Sequence, residues 1–200
     1  MLHQAAPNKV IGICGPPGCG KSTLANLLQD KIPLAKRIDI DNYQSFTQQS
    51  LNELDQWVKD GADYNLFQLP ELVSALDRQP TETPLIFETH FGRGHQASGQ
   101  YIDTLIWIDI PLDIALARNL QKFSQQFSEA IRIDADKDQI HQQQLTWLSQ
   151  YLQGYTSSIR HTLTLQRQYI RPEADIFLDG TLPAEQLCQQ VIQQLAAKYL

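Results

Sequence analysis

The chain has 200 residues, of which 42% are hydrophobic, and it carries a formal net charge of −6. This length suits one domain over residues 1–200, which would bury about 70% of the surface of the unfolded chain. The acidic balance argues against a surface for nucleic acid or for an anionic membrane. The three cysteines show neither a disulfide framework nor a metal-binding spacing, so we expect a reducing, cytoplasmic setting.

The first predicted elements are an apolar strand over residues 9–14 and a helix over residues 22–31. Between them, the sequence GPPGCGKS fits the pattern G-x-x-x-x-G-K-[ST] at every fixed position. Such a loop points successive backbone N–H groups inward at a helix N-terminus, which makes a cradle for phosphate. We therefore predict binding of ATP with Mg²⁺. The predicted nucleotide-binding residues are Gly15, Pro16, Pro17, Gly18, Cys19, Gly20, Lys21, Ser22 and Thr23.

Two side chains of this loop have predicted chemical roles. Lys21 is expected to reach the terminal phosphates and take part in catalysis, and the Ser22 hydroxyl is expected to ligate Mg²⁺. Cys19 is interpreted as a small residue at a free position, with a redox role as the alternative. A plain glycine-rich turn is the alternative for the whole motif, and its place between a strand and a helix disfavours that alternative.

Apolar runs alternate with helical stretches along the rest of the chain. This alternation predicts an α/β fold, with a parallel sheet and helices on both faces. Further strands are predicted at residues 35–40, 84–88, 104–109 and 174–178. Helices are predicted at residues 52–59, 69–78 and 111–126. A long helix is predicted to include residues 145–163 and to end at Arg171, and the last helix begins at Pro183. Charges interrupt the most apolar late stretch, so no membrane span is predicted.

Three carboxylates fall where predicted strands end, and ligands of open α/β sheets bind beyond those ends. A kinase needs one carboxylate to take the acceptor's proton and another to hold Mg²⁺. Asp41 is favoured as the base because it lies nearer the ligand edge, and Asp39 is interpreted as a supporting metal-site carboxylate. Strand alternation puts both on one side, so their roles stay open, and solvated turn residues are the alternative. Glu88 is predicted at the metal or substrate because a core carboxylate is costly unless paired.

Basic residues are few, so their positions are informative. Arg118 and Lys122 lie one helical turn apart and share a face, from which they could close over the triphosphate; a solvated surface pair is the alternative. Arg93, in a glycine-rich loop, is a predicted contact for an anionic substrate or phosphate, with a solvated loop arginine weighted equally. His90 is a predicted substrate contact. Zinc binding by His90 and His95 is disfavoured because no third ligand stands at metal spacing.

The chain resembles the uridine kinase and phosphoribulokinase group of P-loop kinases. The resemblance rests on the phosphate loop, on Ile40-Asp41-Asn42-Tyr43, on Glu88, and on residues 169–176 (YIRPEADI), which are similar to the group's I-x-P-x-A-D-I stretch. It implies a three-layer P-loop NTPase fold with a parallel five-stranded sheet of order 2-3-1-4-5. It also implies transfer of the γ-phosphoryl group of ATP to a hydroxyl of a small molecule.

The same resemblance implies that Asp41 is the base and that Arg118 belongs to a small lid at residues 118–138. Asn42-Tyr43 departs from the group's acidic-aromatic pair, so a nucleoside, a vitamin and a sugar all stay open as the acceptor. The predicted substrate contacts are Tyr43, Tyr64, His90 and Arg93. A monomer or homodimer is expected.

The alternative function is an ATP-binding regulatory switch or an NTPase with no small-molecule acceptor. A GTPase would need a guanine-reading Asn-Lys-x-Asp sequence after a later strand. The only Asn-Lys pair, Asn8-Lys9, precedes the phosphate loop and lacks the aspartate. This lowers the weight of the alternative and leaves an ATP-dependent switch open.

Overall fold

A computed structural model describes residues 10–43, 51–80, 83–133 and 137–199. Five parallel strands form one sheet in the order β2-β3-β1-β4-β5. The strands are β1 (Val10–Cys14), β2 (Lys36–Asp39), β3 (Leu85–Glu88), β4 (Thr104–Asp109) and β5 (Ile176–Asp179). This order confirms the predicted fold class.

Helices connect the strands and cover the sheet. They are α1 (Lys21–Lys31), α2 (Leu51–Lys59), α3 (Pro70–Asp77), α4 (Gln96–Gly99), α5 (Leu112–Ile133), α6 (Lys137–Gly154), α7 (Arg160–Tyr169) and α8 (Ala184–Tyr199). A 3₁₀ turn, Ile40–Asn42, follows β2, and a π-helical turn, Tyr155–Ile159, joins α6 to α7.

The sheet separates two apolar clusters because successive side chains of a strand point to opposite faces. On β4, Ile106 and Ile108 belong to the cluster that contains Leu24 of α1 and Val191 of α8. Leu105 and Trp107 belong to the other cluster, which includes residues of α2 and α3. All four of these β4 side chains are buried. Strand β4 therefore reads as a continuous apolar run, as is typical of a strand in a parallel sheet covered on both faces.

The helices differ most from the prediction after β4. Helix α5 continues to Ile133, past the predicted end near residue 126, because no glycine or proline occurs between Leu112 and Gln153 to stop it. The predicted single helix before Arg171 contains the π turn. Residues 118–133 and 137–138 of the expected lid are helical, and residues 134–136 lie outside the described residues, as does the predicted strand start at residue 9.

Candidate active site

The phosphate loop runs from the end of β1 into the first turn of α1. Gly20 precedes the helix with φ 101° and offers no capping side chain, so the first N–H groups of α1 are left for an anion. Gly18, with φ 85°, lies against the start of α5, where an added Cβ would come 2.2 Å from Ala115 O. The loop therefore needs glycine at this position for both conformation and space.

Lys21 and Cys19 lie in this loop in contrasting environments. The Lys21 Nζ donates to Gly15 O at 2.8 Å and to Pro16 O at 3.3 Å, so the loop's own carbonyls hold the ammonium group. Cys19 is buried, and this burial raises the pKa of its thiol. A buried, protonated thiol is a weak nucleophile, which favours the interpretation of Cys19 as a small packing residue.

The serine of the loop is joined to the acid that ends β3. Ser22 Oγ donates to Glu88 Oε2 at 2.7 Å, and Glu88 is only 2% exposed. The parallel register places Asp39 beside Glu88 on the neighbouring strand. A serine hydroxyl with adjacent carboxylates is an oxygen donor set, which suits a hard divalent cation such as Mg²⁺.

Arg37 links these two carboxylates, and the sequence interpretation missed it. Its Nε donates to Glu88 Oε1, its Nη2 lies 3.3 Å from Asp39 Oδ2, and its Nη1 donates to Asn26 Oδ1 at 2.6 Å. The signal was present in the strand pattern, since residues two apart, such as Arg37 and Asp39, share a face. Arg37 balances charge around the buried Glu88, which would otherwise be costly.

Asp41 lies on the 3₁₀ turn, where its backbone N–H donates to Asp39 Oδ1 at 3.1 Å. The expectation that Asp39 and Asp41 share one face of a strand was wrong, because β2 ends at Asp39 and strand alternation stops there. His90 Nε2 lies 2.8 Å from Asp41 Oδ1. Both aspartates and His90 face one pocket.

That pocket has a volume of about 770 Å³ and joins the phosphate loop to the ends of β2 and β3. Predicted site residues in its wall are Pro17, Gly18, Cys19, Gly20, Lys21, Ser22, Thr23, Asp39, Asp41, Glu88, His90 and Arg118. Lys122 also lines it, and Arg118 Nη1 donates to Gly180 O at 2.7 Å. The structure thus brings most of the predicted site residues together.

Helices α5 and α6 add a further wall that the sequence interpretation did not include. Asn119, Phe123 and Tyr151 line the pocket, and Asn119 Nδ2 donates to Tyr151 Oη at 2.8 Å. Only the aromatic spacing on the two helices could have suggested this wall, and such spacing is more often core packing.

Two predicted substrate contacts, Tyr64 and Tyr43, are not among the pocket-lining residues. Tyr64 lies in an aromatic cluster, with ring centroids 5.4 Å from Trp57 and 5.3 Å from Phe91. Burial raises the pKa of the Tyr64 hydroxyl. Tyr43 packs on the same apolar face of the sheet. Both side chains thus pack against the apolar core near the pocket.

Arg93 is also turned away from the pocket. Its guanidinium donates to the carbonyl oxygens of Ile102, Asp103 and Glu173, at 3.3, 3.3 and 2.8 Å. It forms an ion pair with Asp175 at 2.7 Å. Arg93 therefore ties the loop after β3 to the segment before β5.

A second cavity, of about 600 Å³, shares the segment after β5 with the first. It is lined by Asp109, Ile110, Pro111, Arg167, Arg171, Phe177, Leu178, Asp179 and Thr181. Asp109 Oδ2 lies 3.1 Å from Arg167 Nη2 and 3.4 Å from Arg171 Nε. The two arginines therefore share one internal carboxylate oxygen.

Over the described part of the chain, no group of three or more His, Cys, Asp or Glu side chains is arranged to hold a metal ion. Ser22 and Glu88 could supply protein ligands to Mg²⁺, which commonly takes its other ligands from phosphates and water. Of the helices in the described ranges, none has the length and apolar character that a membrane crossing requires.

Comparison with known proteins gives one family and a set of similar folds. The family model described as ABC transporter matches residues 3–198. No protein among those with curated descriptions matches the chain.

Three solved structures illustrate the shared fold. Shikimate kinase from Aquifex aeolicus VF5 is 18% identical with a TM-score of 0.51, covering 94% of this chain and 97% of that chain. Shikimate kinase from Acinetobacter baumannii, in complex with shikimate, is 14% identical with a TM-score of 0.55, covering 96% of each chain. A gluconokinase from Sinorhizobium meliloti 1021 is 12% identical with a TM-score of 0.54, covering 98% of this chain and 95% of that chain. At these identities the likeness shows a shared fold.

Proposed function

The chain belongs to the ABC transporter family. Within that family we propose, from the geometry of its own site, that it is an ATP-dependent small-molecule kinase. It would transfer the γ-phosphoryl group of ATP to a hydroxyl group. One observation carries the proposal: the Asp41 carboxylate lies in the wall of the same pocket as the phosphate loop. A loop alone serves any nucleotide-binding protein, whereas a carboxylate across the pocket from it suits an acceptor hydroxyl.

On the donor side, the first N–H groups of α1 would bind the phosphates. Lys21 would exchange its bonds to the Gly15 and Pro16 carbonyls for phosphate oxygens. Ser22 and Glu88 would hold Mg²⁺, with Asp39 as a supporting carboxylate. Mg²⁺, when bound with ATP, neutralises charge on the phosphates.

On the acceptor side, Asp41 would accept the proton of the attacking hydroxyl as its oxygen bonds to the γ-phosphorus. The bond from that phosphorus to the β–γ bridging oxygen breaks, and ADP leaves. His90 Nε2, at 2.8 Å, would orient the Asp41 carboxylate. Arg118, from α5, would stabilise the transferred charge, as cations near a transferring phosphoryl group do.

The finer assignment to the uridine kinase and phosphoribulokinase group is also proposed. It rests on the second-strand motif around Asp41 and on residues 169–176, of which Arg171–Glu173 forms a 3₁₀ turn before β5. The kinase names of the structural neighbours add support for the reaction class. The acceptor types under this proposal are a nucleoside, a vitamin and a sugar.

The setting proposed for this activity is a reducing cytoplasm, with the protein as a monomer or homodimer. Its three cysteines, Cys14, Cys19 and Cys188, are free and buried. Burial raises the pKa of Cys14 to about 12, so this thiol stays protonated at neutral pH.

The decisive experiment is ATP consumption with Mg²⁺ in the presence of nucleosides, vitamins and sugars, followed by identification of the phosphorylated product. With the acceptor found, Asp41→Asn is expected to lower kcat by about 10²–10⁴-fold, the scale for a lost general base. Asp60→Asn, an exposed aspartate just after α2, is the matched control and should leave kcat unchanged. Full activity of Asp41→Asn would remove Asp41 as the base.

A second candidate is an ATPase or ATP-dependent switch without an acceptor, and the family match favours it. It predicts that ATP hydrolysis is unaffected by every compound in the panel. The kinase proposal predicts acceptor-dependent ADP release, so the two candidates separate in one assay.

A further inference from the structure

We infer that the acceptor is an uncharged hydroxyl compound and that this pocket rejects acceptors carrying a carboxylate or phosphate group. The inference rests on the kinase function proposed above and names the class of its substrate. It follows from which charged side chains lie near Asp41 and from which of them already have partners within the protein.

The acceptor end of the pocket is lined by acids. Asp39, Asp41 and Glu88 all face the pocket from the ends of β2 and β3, beside Thr89 and His90. Asp41 is the most exposed of the three, with a side-chain exposure of 55%. Since Glu88 and Asp39 are proposed to hold Mg²⁺, an acceptor placed for attack by its hydroxyl would lie against the Asp41 carboxylate.

Arg37, the cation nearest these acids, already has partners within the protein. Arg37 forms ion pairs with Glu88 and with Asp39, and it also donates to Asn26. Three of its donor nitrogens thus have partners inside the protein. If Arg37 turned toward an anionic substrate, the buried Glu88 would lose its charge partner, which is costly.

Arg93, the predicted contact for an anionic substrate, also has partners within the protein. Arg93 donates to three carbonyl oxygens and pairs with Asp175, outside the pocket wall. Arg93 therefore supplies no positive charge for an acidic acceptor in the pocket.

The lysine and arginine side chains that line the pocket lie on the side of the phosphate loop. Lys21 belongs to the loop itself, and Arg118 is bound to Gly180 O, next to the N-terminal end of α8. Lys122 lies one turn beyond Arg118 on α5. These three groups, together with the Mg²⁺ proposed above, serve the triphosphate, so none of them is left to bind the anionic group of an acceptor beside Asp41.

The test uses pairs of compounds that differ in one anionic group: glucitol with gluconate, and methyl shikimate with shikimate. In every pair that is phosphorylated, we expect kcat/KM of the uncharged member to exceed that of its anionic partner by about 100-fold or more. Equal or better use of the anionic partner would overturn the inference and leave the kinase function standing. Absence of any acceptor-dependent ADP release across the wider panel would overturn the kinase proposal and this inference with it.

A pair of variants tests the cause. His90→Arg places a permanent positive charge beside Asp41, whereas His90→Gln keeps a neutral donor at the same position. We expect His90→Arg to narrow the ratio of kcat/KM between uncharged and anionic partners by about tenfold, and His90→Gln to leave that ratio unchanged. Because the ratio cancels losses common to both substrates, a general drop in activity does not affect the result. An unchanged ratio in His90→Arg would show that charge does not set the selectivity.

Discussion

The two ends of the pocket are built in different ways. At the phosphate end, consecutive residues of one loop supply the backbone N–H groups, Lys21 and Ser22, and the Lys21 ammonium donates to two nearby carbonyls. At the acceptor end, Asp41 and the metal-site carboxylates beside it, Asp39 and Glu88, are held by ion pairs with His90 and Arg37. The first end is arranged to exchange its partners for a ligand, and the second is held by partners that it keeps.

Because of this difference, we expect substitutions at the two ends to affect different quantities. Removing a phosphate-end side chain should mainly change nucleotide binding and turnover, because its present contacts are replaceable. Removing an acceptor-end partner should first change the free energy of unfolding, because a buried carboxylate loses its counter-charge. Substitution at each end, with both quantities measured, tests whether this separation holds.

The largest effect is expected at Lys21. Lys21→Ala should lower kcat with the identified acceptor by about 10²–10³-fold and weaken ATP binding, because a donor to the transferring phosphoryl group is lost. Calorimetric titration of ATP with Mg²⁺ and steady-state kinetics measure the two effects. The midpoint of urea unfolding without nucleotide should match that of the wild type. A large stability loss in this variant would contradict the separation between the two ends.

The next effect is expected at Arg37. Arg37→Met should lower the free energy of unfolding by about 3 kcal/mol, because it leaves Glu88 buried without its ion pair. Urea unfolding without nucleotide measures this change. Lys36→Met is the matched control from the same strand, since its side chain is exposed, and should stay within about 0.5 kcal/mol of the wild type. Equal stability of the two variants would show that the acceptor end does not depend on its internal ion pairs.

The smallest effect is expected at His95, which changes how the free energy of unfolding depends on pH. His95 is buried against Phe91, donates from Nε2 to Phe67 O at 3.0 Å and lies 2.8 Å from Ser98 Oγ. Desolvation by burial lowers the pKa of His95 below its ordinary value of 6.5. On acidification the unfolded chain therefore takes up this proton first. The stability from neutral His95 is present above pH 6.5 and is lost as the pH falls toward the folded-state value.

Comparing His95→Asn with the wild type isolates this contribution. The wild type should lose more of its free energy of unfolding than the variant when the pH is taken from above to below 6.5. Urea unfolding at both pH values measures the difference. Identical pH dependence in the two proteins would show that neutral His95 does not contribute to the free energy of unfolding above pH 6.5.

Sequence patterns predicted the fold, and they placed the phosphate loop between β1 and α1, because both depend on local order. Apolar runs alternating with helices are sufficient for a parallel sheet, and the loop motif is contiguous. The acceptor end was harder, because Arg37 acts through contacts with Glu88 and Asn26, which are distant in sequence. The same holds for Arg93, whose partners lie up to 82 positions away. Periodicity identifies the face of a side chain but not its partner across the fold.

The contact between Gly18 and Ala115 has a mechanical consequence. Because Gly18 has no side chain, the loop and the first turn of α5 approach each other closely. A nucleotide-dependent movement of α5 that keeps this contact would be a bend farther along the helix, beyond Ala115. The first turn would act as a fixed pivot, and the swing of Arg118 and Lys122 would be small compared with that of Phe123 and the residues that follow it.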